Sequence, residues 1–261
     1  MINIKKNGAG IFLLVLFLTC GVFVSCGPKK YYNSSVEGKK IPITEEFTPV
    51  AEIENFIAPY REHIDRDLDS VLAYSPETLD KSKPIKKWQT TIGNLMADVT
   101  FNKADKLFFA REKKHVDICL LNHGGIRSVI SKGNVTARTA YEIMPFENSL
   151  IIAALKGTQV KEIAEYIAKE KKPHPLSGMR IILDANGMVK SLTVQDKAVE
   201  DNSIYYVASS DYLTNGGDKM DFFKKAVATY DMDYKLRNLF IDYFKETDTL
   251  PVIKTERIIV E

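Results

Sequence analysis

Three short segments of the chain combine glycine-rich backbone, aromatic rings and polar side chains. They are residues 122–127 (Asn-His-Gly-Gly-Ile-Arg), 145–148 (Pro-Phe-Glu-Asn) and 212–218 (Tyr-Leu-Thr-Asn-Gly-Gly-Asp). Glycine lets a ligand approach the backbone because no Cβ stands in the way. Aromatic rings stack on flat heterocycles, while amide, carboxylate and guanidinium groups hydrogen-bond to base edges, hydroxyls and phosphates. Together the segments predict the pieces of one pocket for a nucleotide.

Phe146 and Tyr212 are the candidate stacking residues. Stacking of a base on an aromatic ring contributes about 1–3 kcal/mol and tolerates different bases, so we expect a broad nucleotide range. Either ring could instead belong to the core, which is the usual place of a single Phe or Tyr. Each ring adjoins a polar or glycine-rich loop, and this position favours the binding interpretation.

Asn122, Arg127 and Asp218 are the candidate polar contacts. The Asn122 amide offers a donor and an acceptor for a base edge, and the Arg127 fork suits phosphate or ribose oxygens. The Asp218 carboxylate can accept both hydroxyls of a ribose. Each residue also has a structural alternative: a turn cap for Asn122, a surface charge for Arg127 and a helix N-cap for Asp218.

The hydrophobic pattern predicts a single α/β domain with mixed β-sheet layers covered by helices. Apolar residues between Val50 and Val71 recur at three- and four-residue steps, which predicts a helix lying on a core. Further helices are predicted from about Ile92 and at residues 158–169, 218–228 and 233–246. Strands are predicted at residues 116–121, 149–155, 179–183, 191–194, 205–209 and 257–259, with an Asn186-Gly187 hairpin turn between the third and fourth.

The first residues resemble an export signal. Lys5 and Lys6 precede an apolar run, Ile11–Val24, that is shorter than the roughly 20 residues of a membrane span. Residues 23–27 resemble a bacterial lipoprotein processing site, with Cys26 as the lipidated residue. An ordinary secreted protein cut nearby is the alternative, and Cys20 is a weaker candidate for lipidation.

We therefore expect a signal peptide at residues 1–25, a tether at 26–44 and one domain at 45–261. The protein would be anchored through its lipid to a membrane of the bacterial cell envelope, in the periplasm or at the cell surface. Cleavage after residue 25 removes two of 36 basic and none of 34 acidic residues, and the resulting neutrality gives no support to nucleic-acid binding. Cys119 would remain as a buried, inert thiol without a disulfide partner.

The order of the motifs resembles the C-terminal domain of the 5′-nucleotidase family, which includes UDP-sugar hydrolases and cyclic-phosphodiesterase relatives. The likeness covers approximately residues 50–250. It is carried by Ile92-Gly93-Asn94-Leu95, Asn122-x-Gly-Gly-Ile-Arg127, Pro145-Phe146-x-Asn148, Ser177-Gly178 and Tyr212-Leu-x-Asn-Gly-Gly-Asp218. The resemblance implies that the rings at 146 and 212 sandwich the base and that Asp218 holds the ribose hydroxyls. The expected substrate-binding residues are Asn122, Gly124, Gly125, Arg127, Phe146, Gly178, Tyr212, Asn215, Gly217, Asp218 and Lys86.

Two positions depart from the family pattern. Lys86 and Gln89 stand where the family commonly has an arginine and then a glutamate. Lysine keeps the positive charge but loses the bidentate geometry of arginine, so tight phosphate contact from Lys86 is not expected. At Gln89 a negative charge is lost.

Family members usually carry a two-metal phosphoesterase domain, whose clustered Asp, His and Asn motifs this sequence lacks. None of the four histidines stands in such a motif, and His63 and His174 are predicted to lie at the surface. We therefore expect no catalytic residue, metal or cofactor in this chain. It would be the substrate-binding half of a nucleotide hydrolase that needs a separate metallophosphoesterase chain with a divalent metal pair. The alternatives are a stand-alone nucleotide- or nucleoside-binding lipoprotein and a degenerate scaffold that has lost its ligand.

Overall fold

A computed structural model of the protein describes residues 8–22, 31–44 and 46–261. In these ranges the helices are α1 (Gly8–Val22), α2 (Ala51–Leu68), α3 (Thr91–Glu112), α4 (Ala137–Ile143), α5 (Gly157–Glu170), α6 (Asp211–Thr214) and α7 (Leu236–Glu246). The strands are β1 (Val71–Ser75), β2 (Ile118–Leu120), β3 (Gly133–Thr136), β4 (Ser149–Lys156), β5 (Leu176–Ser177), β6 (Met179–Leu183), β7 (Val189–Val194), β8 (Lys197–Ala198), β9 (Ile204–Ser210), β10 (Ala228–Lys235) and β11 (Ile258–Val260).

The chain divides into two units at residues 51 and 52. In the first unit, α1 carries residues 11–22 of the apolar run of the predicted signal peptide, and residues 31–44 contain neither helix nor strand. None of the helices among the described residues has both the length and the apolar character needed to span a bilayer. Cys26 lies outside the described residues, so its lipidation and the envelope location stay predictions.

A mixed five-stranded sheet forms the centre of the second unit, in the order β10-β4-β9-β2-β5. β2 runs parallel to β9, and the other neighbours are antiparallel. Side chains alternate between the two faces of a strand. Ile118 and Leu120 accordingly join one hydrophobic core while Cys119 joins the other. The predicted α/β fold is confirmed, and Cys119 is buried as expected.

Two smaller sheets complete the unit. β1 and β3 form an antiparallel pair, and the second small sheet has the order β11-β6-β7-β8. The predicted hairpin joins β6 to β7, where Gly187 adopts a φ of 82° and donates its N–H to Asp184 O at 2.9 Å. The Asn-Gly pair fits this turn because a glycine adopts positive φ without steric penalty.

The helix predicted from about Ile92 and the helix predicted at residues 158–169 are confirmed as α3 and α5. Thr90 caps α3, since its side chain accepts the Gly93 N–H at 3.0 Å. This bond satisfies one of the N–H groups that a helix start leaves without a partner.

Two expectations about helices are wrong. The helix α2 forms, but none of its residues is buried, and Ile53, Phe56 and Tyr60 are more than half exposed. Residues 218–228 form two 3-10 turns followed by the start of β10. Asp218 and Lys219 adopt φ values of 52° and 61°, in the left-handed region, so a regular α-helix does not begin there.

The topology brings the three predicted loops to one edge of the central sheet. β2 and β9 are parallel, so the segments that follow them, 122–127 and 211–218, leave at the same edge. β4 is antiparallel to β9, with Leu150 opposite Ser210, so the segment 145–148 enters at that edge as well.

Candidate functional site

The three loops line one cleft of about 360 Å³. Its walls are formed by Asn122, Gly124, Gly125, Arg127, Phe146, Asn148, Tyr212 and Asp218. A cleft of this size falls within the range of about 300–1,000 Å³ that is usual for small-molecule sites. The structure therefore brings together seven of the eleven residues expected from the sequence.

The rings of Phe146 and Tyr212 are 38% and 47% exposed. The alternative that either ring is part of the core is therefore wrong. The Arg127 guanidinium lies 5.8 Å from the centre of the Phe146 ring, close enough for a cation–π contact. The same side chain makes a long bond of 3.4 Å from Nη1 to Gly124 O and remains exposed. Arg127 thus keeps donors that are available to a ligand.

The Asp218 carboxylate is held by two neighbours on the cleft wall. Asn122 Nδ2 donates to Oδ2 at 2.7 Å, and the Tyr212 hydroxyl donates to Oδ1 at 2.9 Å. An ionised carboxylate has about four acceptor positions, so two remain for a ligand. Two adjacent hydroxyls, as on a ribose, match these positions. The N-cap alternative is wrong because Gly216 precedes the 3-10 turn and Asp218 lies inside it.

Two glycines allow this close arrangement. A Cβ on Gly217 would lie 2.6 Å from the Tyr212 ring, and one on Gly125 would lie 2.5 Å from Asn122 Oδ1. Real Cβ atoms do not approach other atoms so closely. Each glycine therefore lets a cleft side chain pack against the backbone of its own loop. The sequence predicted that these glycines admit a ligand, and the structure shows that they admit neighbouring side chains.

A buried histidine supports the first loop from behind. His174 is 4% exposed, contrary to its predicted surface position, because antiparallel β5 enters beside the end of β2. Its Nδ1 accepts the backbone N–H of His123 at 3.3 Å. Burial lowers the pKa of His174 to about 4, and the neighbouring His123 contributes to the lowering. His174 is therefore a neutral acceptor at pH 7, and its Nδ1 carries no proton.

Besides Gly217, three of the expected binding residues do not line the cleft. Lys86 is exposed and its ammonium lies 2.7 Å from Glu256 Oε1. Gly178 has a φ of 77° and packs against the Asp117 carbonyl, beside two other hollows. Asn215 ends α6, with its N–H donated to Asp211 O at 3.1 Å. The expectation that these three residues contact the ligand directly is therefore wrong for this cleft.

Gly217 also does not line the cleft, but it supports the Tyr212 ring from behind. Asn148 was not among the expected binding residues, although it ends the Pro-Phe-x-Asn motif. The structure places this residue on the cleft wall. The signal available in the sequence was an amide two residues after a candidate stacking ring, because a base that stacks on the ring presents its polar edge nearby.

The described residues contain no group of three or more His, Cys, Asp or Glu side chains that could hold a metal ion. Cys119 is buried, and burial raises the pKa of its thiol above the ordinary range, so it stays protonated. The groups present at the cleft are rings, amides, one carboxylate and one guanidinium. These groups suit recognition of a ligand.

Comparisons with known proteins give one consistent family. The trifunctional nucleotide phosphoesterase of Bacillus subtilis is 25% identical over 79% of this chain and 15% of its own length. The 5′-nucleotidase of Mus musculus is 24% identical over 77% of this chain and 38% of its own length. The chain therefore spans less than half the length of these curated relatives.

Solved structures show the same fold. The 5′-nucleotidase precursor from Thermus thermophilus superposes with a TM-score of 0.68 at 24% identity, over 79% of this chain and 42% of that one. The putative 5′-nucleotidase from Staphylococcus aureus gives a TM-score of 0.66 at 19% identity, over 84% and 45% of the two chains. The family model for the 5′-nucleotidase C-terminal domain matches residues 72–225, more than half of the sequence. This chain belongs to the family of 5′-nucleotidase C-terminal domains.

Proposed function

We propose that this chain is the substrate-binding half of a 5′-nucleotidase-type hydrolase that acts in nucleotide catabolism or scavenging. The observation that carries the proposal is the cleft, in which two exposed rings stand beside a carboxylate with two free acceptor positions. A nucleotide presents a flat base, a ribose diol and a phosphate, and the cleft has a group for each.

In the proposed complex the base stacks between Phe146 and Tyr212, and the amides of Asn122 and Asn148 face its polar edge. The ribose hydroxyls donate to the two free positions of Asp218. The phosphate lies near the Arg127 guanidinium, whose planar fork matches phosphate oxygens. The Asn122 amide donates one proton to Asp218 and keeps its second N–H and its oxygen for the ligand.

Hydrolysis by this class of enzyme uses two metal ions held by clustered carboxylate, imidazole and amide ligands. We propose that a separate metallophosphoesterase chain supplies this divalent metal pair. The curated relatives extend well beyond the matched C-terminal domain, which supports placing the metal pair outside this domain.

The test is an activity assay of the mixture. Metallophosphoesterase chains from the same genome are assayed alone and together with this chain, with AMP and Mn²⁺, and inorganic phosphate is measured. We expect phosphate release to rise on mixing. The matched control is this chain with both Phe146→Ala and Tyr212→Ala, which should restore the rate seen without it.

A second candidate function has a specific observation in its favour: every group that would hold base and ribose comes from this one chain. If this chain binds AMP but increases phosphate release with none of the phosphoesterases, the split enzyme is contradicted and the chain is a stand-alone nucleotide- or nucleoside-binding protein. If this chain binds no nucleotide, it is the degenerate scaffold.

A further inference from the structure

A row of hydrogen bonds holds the loop that carries Phe146 from behind. The carbonyls of residues 146, 147 and 148 each accept a bond from the segment 235–237, where β10 passes into α7. The donors are Arg237 Nη1 to Phe146 O at 3.4 Å, Lys235 Nζ to Glu147 O at 2.9 Å and Leu236 N–H to Asn148 O at 2.9 Å. Three successive peptide groups are thereby fixed to three successive residues.

Arg237 is the buried charged member of this row. It is 7% exposed, and its guanidinium lies 4.2 Å from the centre of the Tyr141 ring. Its Nη2 donates to the Glu147 carboxylate, and this contact with Arg237 lowers the pKa of Glu147. A buried guanidinium requires such partners, because an unpaired charge is strongly unfavourable away from water.

The position of Arg237 follows from the sheet. β10 is antiparallel to β4, with Lys235 opposite Ser149, so the start of α7 lies directly beside the loop that enters β4. The Phe146 ring is 38% exposed, so packing alone does not fix its orientation. The backbone beneath the ring must then be held by other contacts, and Arg237 bonds to its carbonyl.

We propose that Arg237, with Glu147 as its counter-ion, is a positioning residue that sets the Phe146 ring for stacking on the base. The inference deepens the proposed function and rests on it. Arg237 does not line the cleft and acts through Phe146. The ion pair with Arg237 also gives a structural role to Glu147, the third residue of the Pro-Phe-x-Asn segment.

The test is a double-mutant cycle of AMP binding, measured by calorimetry on the full chain. Arg237→Lys keeps the charge but cannot bond two acceptors in one plane. We expect it to weaken AMP binding about threefold to tenfold, as is usual for residues that act through a direct contact. In a Phe146→Leu background, which removes the ring but keeps its bulk, the same change should alter affinity less than about twofold.

Two further variants make the result decisive. Glu147→Gln changes an exposed side chain and should weaken AMP binding in the same direction, even if Arg237→Lys destabilises the fold. Arg138→Lys is the matched control, since Arg138 forms its ion pairs with Asp65 and Asp69 and should leave affinity unchanged. The inference would be overturned if Arg237→Lys weakened AMP binding equally with and without Phe146→Leu. It would also be overturned if neither Arg237→Lys nor Glu147→Gln weakened AMP binding. Failure of the unmodified chain to bind AMP would instead overturn the proposed function.

Discussion

At the scale of single residues, Asp218 is the candidate group of the cleft for binding a diol. Asn122 and Tyr212 each occupy one acceptor position on a different oxygen of its carboxylate. Both neighbours lie on the cleft wall, so the carboxylate is oriented before any ligand arrives. The two positions left free lie on separate oxygens, which suits two hydroxyls on adjacent carbons.

This geometry predicts a preference for ribose over deoxyribose. A 2′-deoxynucleotide loses one hydrogen bond to a charged group, worth about 1.5–3 kcal/mol, so AMP should bind about 10- to 150-fold more tightly than dAMP. In Asp218→Asn the preference should shrink, because one acceptor oxygen becomes a donor. Calorimetry with both ligands measures the ratio.

Asp221→Asn is the matched control, since Asp221 is exposed and paired with Lys224. It should retain the preference of the unmodified chain. An equal affinity for AMP and dAMP in the unmodified chain would show that Asp218 does not hold the diol.

Much of the cleft could be predicted from the sequence at this scale. The glycine-rich loops, the two rings and Asp218 carry their chemistry in residue type and local spacing. The positions of Lys86 and Gly178 could not be predicted in this way, because contacts with Glu256 and Asp117 join residues far apart in the chain. The environment of His174 depends equally on the pairing of β5 with β2.

At the scale of elements, the direction of each strand decides which loops meet. Parallel β2 and β9 and antiparallel β4 and β5 place four loop ends at one edge of the sheet. The sequence indicates the strands but not their order or direction. The helix predicted at 233–246 begins only at Leu236 for the same reason, since the residues before it belong to β10, which pairs with β4.

The buried histidine at this edge predicts a pH dependence of stability. The pKa of His174 is about 4 in the folded chain, against 6.5 for an ordinary histidine. Because the folded pKa is lower, the unfolded chain binds more protons between these values, and stability falls as pH falls. The stabilisation is complete above pH 6.5, and on the order of 2 kcal/mol of it is lost on going from pH 7 to pH 5.

Urea unfolding at the two pH values checks this dependence. In His174→Asn the side-chain oxygen can still accept the His123 N–H but does not titrate. Its free energy of unfolding should therefore change less between pH 7 and pH 5 than that of the unmodified chain. The matched control is His63→Asn on the exposed helix α2, which should keep the pH dependence of the unmodified chain. An identical pH dependence in the unmodified chain and His174→Asn would contradict the assignment.

At the scale of the whole molecule, the fold and the family model both identify a 5′-nucleotidase C-terminal domain. The curated relatives extend well beyond the matched region. The central sheet, its two cores and the cleft at its edge are all contained in residues 52–261. The candidate binding site is therefore contained within that unit.

The most direct test of the central claim is calorimetric titration of the unmodified chain with AMP, alongside Phe146→Ala and Tyr212→Ala. Each ring should contribute about 1–3 kcal/mol, so each variant should weaken binding about 5- to 150-fold. Phe109→Ala is the matched control, because Phe109 is an exposed ring on α3 that stacks on His115. We predict that it binds AMP like the unmodified chain. Equal affinity in all four proteins would contradict a nucleotide held between the two rings.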